Sequence, residues 1–384
     1  MTVAANPSPS PAHPTQQLVL LGAGHAHLHI LSQLAAQPLA GTVVTLIAPQ
    51  PRTIYASMLP GYVAGHYALQ DCEMALEPLV RGSGIRWIQR GITAVDPEQQ
   101  TVLLDDGSTV PFDWLSVNTG TVQDRESIER AIPGAREHAL FARPIEAFAA
   151  LWPRVAEMGD TRALRIAVIG AGAAGFELAL AVRHRLPTCA VTLVCGPVPL
   201  GANHSPAVQH RLQAVLKHRK VTVLQDVAVG MRADSVQLGC GADLACDVPL
   251  LVTRGQAPQW LADSGLALDA QGFLAVDVYQ RSTSHSRVFA PVDASTRADR
   301  TLARSGEHAA HAGAVLVHNL AAAMAGTALK PYQPPAASLN LLSCGDRYAV
   351  GTWRSFSAQG WWLWWLKNRI DRRFVARRRL SEKN

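Results

Sequence analysis

The sequence contains no apolar run of about 18 residues or more, so no transmembrane helix is expected from it. Met1 to Gln17 lacks the basic-then-apolar order of a secretion signal. That stretch is rich in Pro, Ser and Ala instead, which predicts a disordered tail on a cytoplasmic protein. None of the six cysteines (Cys72, Cys189, Cys195, Cys240, Cys246, Cys344) falls into a Cys-x-x-Cys or Cys-x4-Cys spacing. A zinc ribbon or a closely spaced redox disulfide is therefore unsupported, and most of these thiols are expected to be small buried hydrophobes. Charge is sparse too. Charged residues make up 17% against 48% hydrophobic, the balance of a soluble α/β protein.

The net charge of +6 is confined to one end. Residues 367–384 hold eight Lys and Arg against two acids, so the chain before them is neutral. A neutral body with a basic end predicts a localised contact. No nucleic-acid recognition fold accompanies the arginines, and no nucleic acid partner is expected. At 384 residues the chain is long enough for two domains and a terminal appendage.

What the chain does have is a pair of glycine-rich turns about 150 residues apart, each after an apolar run and each opening an apolar helix. The first reads Leu18-Val-Leu-Leu-Gly22-Ala-Gly24-His-Ala-His27 and the second Arg165-Ile-Ala-Val-Ile-Gly170-Ala-Gly172-Ala-Ala-Gly175. Glycines at such a joint let the backbone turn tightly and approach a pyrophosphate, whose charge the helix N-terminus favours. Two turns predict two dinucleotides held together, with electron or hydride transfer between them.

Around each turn the pattern reads as a βαβ unit followed by a strand-rich meander. The first unit runs from Leu18 through a helix over 26–36 to a strand over 43–48, with its meander at 85–120. The second starts at Leu164, with a helix over 175–185, a strand over 190–194 and a meander over 221–253. A strand over 287–293, a helix over 301–325, a Pro-rich connection, a hairpin and a basic helix complete the chain. This is an internal duplication with one domain inserted in the other.

These residues resemble the FAD-dependent pyridine-nucleotide oxidoreductases that carry two dinucleotide folds. More narrowly they look like type II NADH:quinone oxidoreductases and the NADH-dehydrogenase-like module found fused to selenide, water dikinase. The narrower likeness rests on Gly24-His-Ala-His27, on Tyr55-Ala-Ser-Met-Leu-Pro-Gly61, and on Gly345-Asp-Arg-Tyr348 with the Trp/Arg-rich end. The resemblance implies an α/β fold of two Rossmann-like domains plus a C-terminal amphipathic helix. It implies FAD on residues 18–145 and 265–330, NAD(P)H on 146–264, and membrane association through 331–384. Hydride would pass from NAD(P)H to the flavin and electrons onward to a membrane quinone, on a protein peripheral to the inner face of the membrane. A homodimer stays open.

By the same resemblance Gly22 and Gly24 line the FAD pyrophosphate, and His25 and His27 line either that pyrophosphate or the helix–sheet contact. Met58 lies in a loop passing the flavin, and Thr119 and Gly120 end a strand beside it. Asp293 accepts from a ribityl hydroxyl, and His308 stands on the helix beneath the flavin. Gly170, Gly172 and Gly175 hold NAD(P)H, and Glu177 is the catalytic candidate, close to where the two rings meet. No metal is expected. His25 and His29 are one helical turn apart but have no carboxylate or cysteine partner beside them.

Several positions depart from the family pattern. His27 stands for the third glycine, and Val292 before Asp293 adds a side chain where backbone should approach the flavin. The strand ends read Asn118-Thr119-Gly120 and Thr253-Arg254-Gly255 where Ala-Thr-Gly is usual, and Ala48-Pro49 and Val194-Cys195 replace the acid that grips a ribose. At the C-terminus Leu363, Leu366, Ile370 and Phe374 recur at helical spacing, with Arg369, Arg372 and Arg373 on the remaining surface. That pattern predicts a helix lying in the bilayer interface. Two alternatives stay open: a sulfide- or selenide-type quinone reductase, which needs paired thiols from Cys72 and Cys344, and a degenerate fold that binds without turnover.

Overall fold

The computed structural model describes residues 15–202, 204–292, 294–300, 302, 306–335, 339–354 and 356–379, with the side chains of 306–310 left out. Asp293 and the His308 side chain therefore lie outside the described residues.

Two five-stranded parallel sheets organise the chain. The first has the order Val288–Phe289, Trp114–Val117, Gln16–Leu21, Thr42–Ile47, Arg86–Ile88. The second runs Leu140–Phe141, Val248–Leu251, Arg165–Ile169, Ala190–Val194, Thr222–Leu224. In each, the strand that leads into a glycine turn is central and the strand closing the meander lies beside it. The shared order is the structural form of the duplication. The central strands are near-continuous apolar runs because both faces of a parallel sheet are covered. The strand register also corrects the tail boundary. Gln16 and Gln17 pair with Thr42 and Val43, so the first strand starts two residues earlier than hydrophobicity alone suggests.

The main core spans both halves, with Leu18, Leu20 and Met58 from one and Phe148, Val168 and Phe176 from the other. A C-terminal unit leans on both. It is a three-stranded antiparallel sheet, Leu339–Ser343, Ala349–Trp353 and Phe356–Gly360, rather than the expected hairpin. The third strand folds back at once, pairing Phe356 with Trp353.

The helix Trp361–Arg379 that follows turns a different face inward from the one its apolar spacing indicates. Leu363, Lys367, Asp371 and Val375 are buried, whereas Ile370 is 44% exposed. Lys367 and Asp371 are an ion pair one turn apart, and mutual neutralisation lets two charged residues join an inward stripe. Trp361, Trp362 and Trp365 stay exposed on the helix, and Phe356, at 73%, and Trp353 are exposed on the sheet before it. Among the described residues no helix is long and apolar enough to cross a membrane.

Candidate active site

The first glycine turn is shaped by contacts that leave no room for a side chain. Gly22 has φ +82°, and a Cβ on it would lie 2.5 Å from Thr119 Cα and 2.6 Å from the Asn118 carbonyl oxygen. A Cβ on Gly24 would lie 2.5 Å from Asn118 Oδ1. Only glycine allows strand end and helix start to come this close. The Gly22 N–H donates to the Ile47 carbonyl at 2.8 Å and the Gly24 N–H to the Asn118 carbonyl at 3.1 Å. Next to this joint the Thr119 hydroxyl is buried without a hydrogen-bond partner among the described residues, and Gly120, at φ +73°, borders open space. A cradle sealed by glycines beside an unsatisfied hydroxyl fits FAD.

His25 opens the helix His25–Ala36. Its ring centroid is 5.3 Å from Tyr55 and 5.6 Å from Phe374, and Tyr55 and Phe374 stack at 4.2 Å. Burial, reinforced by Arg378 and Arg143, lowers its pKa to about 4, so the ring is neutral. The C-terminal helix thus reaches over the first turn. His27 is fully buried and bonded to backbone and side chain, and Met58 is fully buried in the neighbouring loop. Val292 does not project as expected. Its side chain packs into a small cluster with Ala312 and Tyr332, which takes up the isopropyl group in the protein interior.

The second turn has the tighter geometry. Gly170, at φ +136°, would place a Cβ 2.3 Å from the Val252 carbonyl oxygen, and Gly175 would place one 1.8 Å from the Gly170 carbonyl oxygen. These two glycines serve helix–strand packing. Gly172 differs, because a Cβ there would meet nothing within 4 Å. Its missing side chain keeps space open rather than resolving a clash, which suits the approach of a pyrophosphate.

Glu177, half-buried in the helix Ala173–Arg185, accepts the Ser343 N–H at 2.8 Å. Burial raises its carboxyl above the ordinary range, with Lys367 and the Ser343 bond opposing. Lys367 Nζ donates to the Ser57 carbonyl at 2.8 Å, to Ser57 Oγ at 2.5 Å and to Asp371 Oδ2 at 2.8 Å. Ser57 Oγ in turn donates to Asp371 Oδ1 at 3.0 Å. The C-terminal unit therefore touches both the helix of the second turn and the Ser57–Met58 loop of the first half. Ser57, Ser343, Lys367 and Asp371 escape sequence reasoning because each has a hydrogen-bond partner more than a hundred residues away. Only Lys367 and Asp371, four apart inside an aromatic-rich helix, leave a local trace.

Neither candidate redox thiol is poised to react. Cys72 and Cys344 are buried, and burial pushes both thiols up to about 12, far from thiolate formation at neutral pH. Among the described residues no group of three or more His, Cys, Asp or Glu could hold a metal.

The geometry defines a class, a flavin-and-nucleotide oxidoreductase with duplicated dinucleotide folds. The chain belongs to the pyridine nucleotide-disulphide oxidoreductase family, whose pattern it matches over residues 16–314. Human ferroptosis suppressor protein 1 is 26% identical over 277 residues, covering 68% of this chain and 69% of that protein. An alternative NAD(P)H-ubiquinone oxidoreductase C1 from Arabidopsis thaliana is 23% identical over 331 residues, 75% of this chain and 63% of the relative. In fold, the chain matches the sulfide:quinone oxidoreductase of Aquifex aeolicus with a TM-score of 0.78 at 16% identity, over 95% of this chain and 92% of that one.

Proposed function

We propose that this protein is an FAD-dependent NAD(P)H:quinone oxidoreductase working at a membrane surface. The observation that carries the reading is the placement of the C-terminal unit, which bonds Glu177 beside the second turn and Ser57 beside Met58. One element spans both nucleotide folds where their chemistry would meet. FAD, when bound, supplies the capacity to take two electrons from NAD(P)H and release them to a quinone.

The chain's own residues bind, align and exclude water. Gly22 and Gly24, with Thr119 and Gly120, hold the FAD end, and Asp293 and His308 complete it by family resemblance. Gly170, Gly172 and Gly175 hold NAD(P)H. Glu177 is the catalytic candidate: its raised carboxyl can exchange a proton near the ring edges, a proton that quinone reduction consumes. Met58 and the Tyr55–Phe374 stack wall the site from water.

The exposed Trp361, Trp362 and Trp365, with Arg369 and Arg373 further along the helix, suit an interface of apolar chains and anionic headgroups. We assign that surface to the inner face of a membrane. The test is steady-state reduction of a short-chain quinone by NADH and by NADPH, with Cys72→Ser and Cys344→Ser alongside. Activity retained in both variants supports the reading, whereas activity that needs sulfide and either thiol rejects it for the sulfide-reductase alternative.

A further inference from the structure

Two departures from the dinucleotide pattern, His27 for the third glycine and Asn118 for a small strand-end residue, are bonded to each other. The His27 backbone N–H donates to Asn118 Oδ1 at 3.1 Å, and the same side chain fills the space a Cβ on Gly24 would need. The imidazole is fully buried and both its nitrogens are engaged. Nδ1 lies 2.7 Å from the Gly22 carbonyl oxygen and Nε2 2.8 Å from Ser116 Oγ. A carbonyl only accepts, so Nδ1 carries the proton and Nε2 accepts from the Ser116 hydroxyl. The ring is neutral, as burial requires.

The second turn meets the same packing problem in another way. There the third glycine lets the helix press directly against the first glycine's carbonyl, with 1.8 Å left for a Cβ. In the first turn the equivalent carbonyl, that of Gly22, is met by an imidazole. His27 acts as a hydrogen-bonded spacer where glycine would act as a void. The arrangement also sorts the backbone donors. Asn118 takes the amides of Gly24 and His27, while those of His25 and Ala26 lie in the first turn, where an amide has no intrahelical partner.

We propose that His27, held by Ser116 and Asn118, is a positioning residue for FAD, replacing the third glycine's role so that glycine itself no longer serves at this position. The inference rests on the first turn being the FAD site. His27→Gly restores the full Gly-x-Gly-x-x-Gly pattern yet loosens FAD, because the Gly22 carbonyl and the Ser116 hydroxyl lose their partner.

The test compares full-length wild type, His27→Gly and Ser116→Ala. FAD release is followed by the rise of free-flavin fluorescence on dilution, and bound FAD by the phosphorus resonances of its pyrophosphate. The melting temperature of each apoprotein is the control. Release about tenfold faster in His27→Gly, the scale of one buried hydrogen bond, is expected, with displaced phosphorus resonances in both variants. Should His27→Gly not fold, Ser116→Ala carries the test through the same resonances. Wild-type release and resonances in the variants, with only the apoprotein melting lower, would make His27 merely structural and overturn the proposal. A wild-type chain that takes up no FAD overturns the reading of the turn itself.

Discussion

Ser343 donates its backbone N–H to Glu177 Oε1 at 2.8 Å, joining the C-terminal sheet to the helix of the second glycine turn. Glutamine keeps that acceptor and removes the charge. Because the folded-state pKa of Glu177 is raised, its stabilising form is the protonated one, and that contribution is lost as pH rises through the folded pKa. Glu177→Gln is therefore expected to melt at the same temperature as wild type or higher at neutral pH. Its kcat with NADH should fall by at least about a hundredfold, the low end of proton-transfer effects. Glu177→Ala, which leaves the Ser343 amide unpaired, should lose stability as well. Melting curves and steady-state rates on the three proteins decide it.

The two glycines of the second turn should fail differently. Gly175→Ala forces a Cβ against the Gly170 carbonyl oxygen, and overpacking of this kind costs about 1–3 kcal/mol. Gly172→Ala meets no protein atom within 4 Å, so its fold should be unchanged. Its KM for NAD(P)H should rise, because the added methyl occupies the space kept for the nucleotide. A Gly172→Ala enzyme with wild-type melting and wild-type KM would remove this turn from the nucleotide site.

Lys367 and Asp371 are only 6% and 3% exposed, and their pairing should be unequal to its parts. Asp371→Ala strands a buried ammonium and is expected to destabilise by about 3–5 kcal/mol, whereas a Lys367→Met/Asp371→Leu double variant should recover most of that loss. Chemical denaturation of the single and double variants measures the difference.

Acid should weaken the fold through two histidines. His25 and His27 are both lowered to about 4 by burial, below the unfolded value of 6.5, so the unfolded chain binds more protons between those limits. Stability then falls as pH drops from 6.5 towards 4 and rises again on return. A His27→Gln variant should show a shallower fall over that window in a pH series of melting temperatures.

Much of this architecture is legible in the residues, and the illegible parts share a cause. Gly22, Gly170 and Gly175 announce themselves because no other residue tolerates those backbone contacts. The parallel strands announce themselves through apolar runs such as Ile166 to Ile169. The C-terminal helix does not. Its inward stripe includes Lys367 and Asp371, which read as solvent-facing until the pairing is seen. Val292 misleads in the opposite direction, because its bulk is absorbed by Ala312 and Tyr332, which lie far off in sequence. Spacing reports what a residue needs alone, whereas Lys367 and Asp371 are settled by their mutual pairing and their bonds to distant Ser57, and Val292 by its tertiary packing.

Membrane docking should depend on the exposed aromatics and the arginines together. Replacing Trp361, Trp362 and Trp365 by Ala should release the protein from vesicles containing anionic lipid. Replacing Arg369 and Arg373 by Gln should weaken binding by about thirtyfold, at about 1 kcal/mol for each charge near the surface. Cosedimentation at low and high salt reads both effects, and binding indifferent to all five residues would place the docking surface elsewhere.

The most direct measurement is an anaerobic titration of the purified full-length protein, watched in the visible spectrum. The expected result is a flavin spectrum that stoichiometric NADH or NADPH bleaches and that a short-chain quinone then restores. A protein that holds flavin but keeps its colour with either nucleotide, or that stays reduced when the quinone is added, contradicts it.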